Sequence, residues 1–293
     1  MPNLNKLKHR TPWWLKICIK LFLSRLPLSY GLWRKLGIFR HGKMLNPVYA
    51  QNVFQQHWNL AKPFIPAKDY TILELGPGDS LFTAILGSVA GAKKIWLVDV
   101  GKFAQDDVNQ YYPLLSQLPH PWSHLTFPDL SSMLSTANAI YLTEGISSLR
   151  TIPSSSIDFL FSQAVLEHIY LSEFEATIKE LFRIQTSGGI ASHCIDLKDH
   201  LAYSLNSLRF SHRIWESPWF AKRSGFYTNR LRASQIMQIL KNVGYEILYY
   251  KFYTWDKLPI KKHLLSAPFN TMPDEELLIR EIDILLRKPS CSP

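Results

Sequence analysis

Carboxylates, glycines and histidines recur in this chain at spacings that suit ligand binding and proton transfer. The run TILELGPGDS at 71–80 sets Glu74 before a turn that holds Gly76 and Gly78. Glycines at such a turn let the backbone approach a ligand closely. A dinucleotide fingerprint needs a third glycine three residues after the second, and that place is Leu81; a pyrophosphate cradle is therefore disfavoured. Asp99 lies 23 residues after Gly76. A carboxylate there can accept hydrogen bonds from both hydroxyls of a ribose, or simply face solvent at a strand end. Further on, VLEHI sets Glu167 beside His168, and HCIDLKDH groups His193, Asp196, Asp199 and His200. An Asp and a His at those spacings suit an oriented general base or a divalent-cation site. The cation reading lacks a third dependable ligand, so no metal is assigned. For His168 the plain alternative is capping and packing of a short helix.

The elements that must position these groups alternate. Strand Thr71–Leu75 leads into a helix over 81–88, and strand Lys94–Asp99 into a helix near 103–118 that Pro119 and Pro121 end. Strands follow at Ala139–Thr143 and Ile157–Ser162. The pattern EFEATIKELFRI forms an amphipathic helix from Ser172, closed by Ser187-Gly188-Gly189 before strand Gly189–Asp196. Helix Ala233–Val243 and strands Glu246–Tyr253 and Glu281–Arg287 complete the series. The final pair is antiparallel, since a parallel pair needs a crossover helix. This is an α/β fold with a mostly parallel sheet and helices on both faces. Ligands of such sheets bind beyond the carboxyl ends of the strands, which gathers Glu74 to Ser80, Asp99, Glu144-Gly145-Ile146, Ser162-Gln163 and Asp196.

A ribose-binding carboxylate at Asp99 serves both NAD and S-adenosyl-L-methionine. The set ILELGPGDS, LVDV, DFLFSQAVLEHI and ELFRIQTSGG resembles class I S-adenosylmethionine-dependent methyltransferases, especially the methyltransferase type 11 group. The resemblance spans about residues 70–196, and the last two strands extend it. It implies a Rossmann-like seven-stranded sheet in the order 3-2-1-4-5-7-6. It also implies a floor of the cofactor site made by Glu74, Gly76 and Gly78, with Ser80 where the family has a third glycine. Asp99 would hold the ribose, Glu144-Gly145-Ile146 would border the adenine, and Ser162 and Gln163 would lie along the methionine part. In some ubiquinone-pathway O-methyltransferases that resemble this group, the pair matching Glu167 and His168 sits close to the acceptor. The expected bases are Asp196, His200, His168 and His193.

At 293 residues and 46% apolar composition the chain can bury a full α/β core. Cys18, Cys194 and Cys291 are scattered and odd in number, which speaks against a disulfide framework or a structural zinc site and suits a reducing cytosol. The charge of +10 is uneven: residues 1–68 hold twelve Lys or Arg and no acid, while the remainder holds 21 basic and 23 acidic side chains and sums to −2. An anionic partner for that first segment follows. In TPWWLKICIKLFLSRL, Thr11 is a candidate N-cap and Pro12 a first helical residue, and apolar positions surround a narrow face of Lys16, Lys20 and Ser24. The run is too short for a span of roughly 20 residues. Two readings stay open: a helix lying on an anionic membrane surface through residues 1–43, or one docked on the rest of the chain. Nucleic acid is the weaker partner, for no RNA-binding module accompanies the charge.

The expected organisation is a basic amphipathic segment at 1–44, then a methyltransferase domain at 45–293 with an acceptor-site insertion at 201–230. That insertion interleaves seven aromatics with five basic residues, which suits a sugar face, a phosphorylated lipid-linked acceptor or a plain hydrophobic lid. It also resembles methyltransferases of bacterial glycan gene clusters. The expected function is S-adenosylmethionine-dependent O-methylation of a saccharide or lipid-linked glycan, in the cytoplasm or at the inner membrane surface. A quinone-type or other small-molecule O- or C-methyltransferase and a non-catalytic S-adenosylmethionine-binding partner protein are the alternatives.

Overall fold

The computed structural model describes residues 12–23, 44–199, 201–222 and 226–290. The central strands are β1 (Thr71–Leu75), β2 (Lys94–Val98), β3 (Ala139–Leu142), β4 (Ile157–Gln163) and β5 (Gln185–Asp196), followed by β6 (Glu246–Thr254) and β7 (Ile279–Arg287). They form one seven-stranded sheet in the order β3-β2-β1-β4-β5-β7-β6. The first five pair in parallel, and β7 runs antiparallel to both β5 and β6. Strand order and the antiparallel last strand match the sequence reading. Every residue of β1 is buried, as a central strand covered on both faces requires.

Two helical layers provide that cover. On one face lie α2 (Pro47–Ala61) and α3 (Phe82–Val89), where Ala50, Val53, Phe54, His57 and Ala61 of α2 turn inward at helical spacing. Asn46 caps α2, its side-chain oxygen accepting from Tyr49 N at 3.1 Å. On the other face lie α6 (Leu171–Ile184) and α7 (Ala233–Val243), with α5 (Ile146–Thr151) beside α6. Gly244 ends α7 in the left-handed region at φ 114°. Arg232, 1% exposed, donates to the carbonyls of Leu197, Glu276, Leu277 and Ile279, so one fork joins the end of β5 to the start of β7.

Two expectations need correction. The helix near 103–118 is instead a single 3₁₀ turn at Val108–Tyr111 and one helical turn at Tyr112–Leu115. Asp107 caps that 3₁₀ turn through Asn109 N at 3.0 Å, and Asp, Asn and Val at 106–109 favour local hydrogen bonding over helix. Nor does Ser187-Gly188-Gly189 end a helix: α6 stops at Ile184 and β5 begins at once. Gly188, at φ 79°, sits where the β4–β5 register shifts between Ile157 and Phe159, and it donates to Lys288 O at 2.8 Å. The glycines therefore make a bulge inside a long strand.

Helix α1 (Trp13–Leu23) stands apart from the two layers. Ile17 is buried with Leu201, Trp215, Phe220, Phe226 and Tyr227, and Trp13 meets Phe210 edge-on at 6.1 Å. Its opposite side exposes Trp14 (54%), Ile19 (45%) and Phe22 (66%). Among the described residues no helix is long and apolar enough to cross a membrane.

Candidate functional site

The ends of β1, β2 and β3 are tied together by the backbone. Gly76 N donates to Val98 O at 2.8 Å, and Gly145 N to Asp99 O at 2.8 Å. Gly76 and Gly78 hold φ of 76° and 67°. A Cβ on Gly76 would stand 2.4 Å from a methyl of Val165, so the turn needs glycine both for conformation and for space.

Asp99, 8% exposed, projects back onto this turn. One carboxylate oxygen accepts from Gly78 N at 3.0 Å and the other from Val100 N at 2.7 Å. A carboxylate offers about four acceptor positions, so two remain for a pair of hydroxyls. Beneath it Glu74 is 1% exposed, and its Oε2 has no hydrogen-bond partner. Burial pushes Glu74 up to about 8, against a hydrogen bond from Thr83, while the charge of Asp99 pushes the same way. A largely protonated Glu74 avoids placing two buried anions side by side.

The loop after β3 closes in beside these residues. Glu144 is exposed, Gly145 is buried and Ile146 opens α5. A Cβ on Gly145 would lie 3.0 Å from Val100. Loop 144–146 thus borders Asp99.

Other expected contacts turn elsewhere. Ser80, 1% exposed, donates its hydroxyl to Met44 O at 2.7 Å, securing the chain ahead of α2. Gln163 accepts from His57 Nε2–H at 3.1 Å, and His57 Nδ1 accepts from Ser192 at 2.7 Å. Burial drives His57 down to about 4, so the ring is neutral. Ser162 is wholly buried and shares a 2.7 Å hydrogen bond with His193 Nδ1. Through these side chains Ser80, Ser162 and Gln163 knit the core; any contact with a cofactor would come from their backbone.

The expected bases are likewise sorted. His193 is corrected: it is 1% exposed and burial drives it to about 3, so it is a neutral interior ring out of reach of an acceptor. Asp199 holds the following loop instead of facing a ligand, its oxygens accepting from the backbone of Leu201, Ala202, Ser204, Asn206 and Ser207. His200 lies outside the described residues. His168 is exposed, with Nδ1–H donating to Tyr227 O at 2.9 Å; that bond fixes the ring's orientation, as a base requires. Asp196, at the end of β5, pairs with Lys198, which also lies 3.3 Å from Glu281.

Asp196 forms the rim of a narrow recess, about 10 Å³ within, that Glu167, Lys198, Ser207, Asn229 and Arg230 help to line. Glu167 is 2% exposed and neither carboxyl oxygen has a hydrogen-bond partner. Burial, then the charge of Asp196, raises it well above the usual carboxylate range. The insertion at 201–230 does reach this recess, but through Ser207 and the stretch 228–230; what spacing alone does not show is that this stretch folds back onto Glu167, Asn229 N bonding Glu167 O at 2.8 Å. The aromatics of 201–230 do not line it. Trp215, Phe220, Phe226 and Tyr227 instead build the small core on which α1 rests.

No protein-family model matches the chain, and no curated protein matches it. Solved structures similar to it include an S-adenosylmethionine-dependent methyltransferase of Methanosarcina mazei, at 17% identity over 79% of this chain and 97% of that one, TM-score 0.49. Another, from Mesorhizobium loti, shares 12% identity over 79% and 97%, TM-score 0.44. A phosphoethanolamine N-methyltransferase of Haemonchus contortus, in complex with S-adenosyl-L-methionine, shares 14% over 80% and 53%, TM-score 0.45.

Proposed function

We propose that the chain is an S-adenosylmethionine-dependent methyltransferase acting on an oxygen of a saccharide or lipid-linked glycan. The observation that carries this reading is Asp99: a carboxylate held by Gly78 N and Val100 N, with acceptor positions left for a ribose, beside a glycine turn that lacks the third glycine of a pyrophosphate cradle. Gly76, Gly78, Gly145 and Asp99 would hold the cofactor, and Glu74 would support the turn from below. When bound, that cofactor supplies an electrophilic methyl group, and the chain's task is to align the acceptor with it. Alignment of this kind is worth roughly 7–11 kcal/mol. Asp196 and His168 are the groups placed to take the acceptor's proton.

The polar groups at the mouth of the recess favour contact with a neutral polyhydroxyl acceptor at the point of transfer. Lys198 is engaged by Asp196 and Glu281. Arg230 is engaged by Glu216 at 3.6 Å and by the carbonyls of Ser207 and Phe210. Both cations near the recess are thus committed, which suits hydroxyls better than phosphate. A quinone-type acceptor, flat and apolar, fits so polar a lining less well.

Calorimetry tests the cofactor. S-adenosylhomocysteine should bind with heat that Asp99→Ala removes; heat with NAD and none with S-adenosylhomocysteine would overturn the reading. Asp196→Ala should then lose turnover while keeping cofactor binding. Binding without turnover on any polar-lipid or glycan extract would favour the non-catalytic partner instead.

The peripheral-membrane part of the proposal rests on α1. Its inner side is committed to the 201–230 core, its outer side is apolar, and the surrounding sequence is basic. Docking on the chain and lying on a membrane are thus compatible for one helix.

A further inference from the structure

Cys194 on β5 and Glu281 and Asp283 on β7 share the sheet face that carries α2. Antiparallel register sets Cys194 opposite Asp283 and Asp196 opposite Glu281, and side chains two apart on a strand share a face. Ser192, two residues before Cys194, already bonds His57 of α2. One ligand-type atom from each of Cys194, Glu281 and Asp283 lies within 4.8 Å of the other two. Asp283 is 7% exposed; Oδ2 accepts from Tyr253 at 2.8 Å, while Oδ1 is buried with no hydrogen-bond partner. A buried carboxylate oxygen left so is costly and invites a cation.

We propose that Cys194, Glu281 and Asp283 form a binding site for a divalent transition-metal ion of the zinc type, with solvent completing the coordination. Bond lengths of about 2.3 Å to sulfur and 2.1 Å to oxygen imply a tetrahedral S···O edge of roughly 3.6 Å. Cys194 Sγ and Glu281 Oε1 stand 3.7 Å apart. The remaining gaps between ligand atoms, up to 4.8 Å, must narrow when the ion binds. A thiol among the donors selects zinc over calcium or magnesium, which take oxygen ligands.

Three anionic ligands and a divalent ion sum to −1, and Lys198, 3.3 Å from Glu281, is shared between that site and Asp196. Burial and the neighbouring Asp283 and Glu281 push the Cys194 thiol up, so the ion binds with loss of the thiol proton to solvent. Tyr253 orients Asp283 as an outer partner. Glu281, half-buried, gives the ion its way in. His57 stays outside the set, both its nitrogens being taken.

Cobalt(II) titrated into the full chain should produce a sulfur-to-metal charge-transfer band in the near ultraviolet. The band should survive in a Cys18→Ser, Cys291→Ser double variant and vanish in Cys194→Ser. Asp283→Asn, which keeps the thiol, should weaken cobalt binding by roughly tenfold or more, and Tyr253→Phe by roughly tenfold. Thermal melts without metal check that each variant is folded; should Cys194→Ser not fold, Asp283→Asn and Tyr253→Phe decide. No band in the unsubstituted chain, a band that persists in Cys194→Ser, or affinity unchanged in both Asp283→Asn and Tyr253→Phe would overturn the proposal.

Discussion

Glu74 ties the candidate cofactor turn to the pH dependence of stability. Its carboxyl rises from an ordinary 4.5 to about 8 on burial, so between those values the folded chain binds more protons than the unfolded one. The stabilisation is complete below about 4.5 and is lost as pH rises through about 8. Below about 6.5 the buried rings of His57 and His193, lowered to about 4 and about 3, give the opposite slope, so the melting temperature should fall between about 6.5 and 8, and Glu74→Gln should flatten that fall without removing it, because Glu167 is shifted in the same direction as Glu74. A slope identical in both proteins would exclude Glu74 as its source. Residues of this kind differ in how far sequence reveals them. Gly76, Gly78 and Asp99 were legible because a turn and the next strand end are local features with fixed spacing. His193 was misplaced because the alternation of a strand buried on both faces does not say which neighbour a polar side chain will meet. The two carboxylates proposed beside Cys194 needed the β5–β7 register, since Glu281 and Asp283 lie 87 and 89 residues beyond it.

At the scale of elements, α1 carries a two-sided prediction. Ile17→Asp should lower the melting temperature, because it places a charge in the core of Leu201, Trp215 and Phe220. Trp14→Ser with Phe22→Ser should leave that temperature alone, since both rings are more than half exposed. The same pair should weaken binding to phosphatidylglycerol vesicles by at least about tenfold, taking roughly 1.5–3 kcal/mol per apolar side chain. Unchanged vesicle binding would remove α1 from the membrane proposal. The strong helices α6 and α7 and the central strands were readable from periodicity. Segment 100–112 was not: it folds over the glycine turn through bonds that Gln105 N donates to Asp79 O and Leu81 N donates to the Tyr111 hydroxyl oxygen, both at 3.1 Å, and those tertiary partners override any local helical tendency.

The whole molecule divides its charge between a basic first quarter and a nearly balanced remainder. Binding to anionic vesicles should therefore weaken as salt rises from low to physiological strength, with a Debye length near 8 Å at the upper end. Removing residues 1–43 should abolish it. The sheet order has a consequence for how the chain is made. Among the described residues β6 pairs only with β7, and β7 fills the gap beside β5, so a chain that has emerged from the ribosome only as far as residue 278 holds an open β5 edge and an orphan strand. Such edges recruit other chains. A version truncated at 278 should aggregate, whereas one truncated at 290 should remain dispersed in light scattering. For this protein, escape from aggregation during synthesis waits on the nine residues of β7.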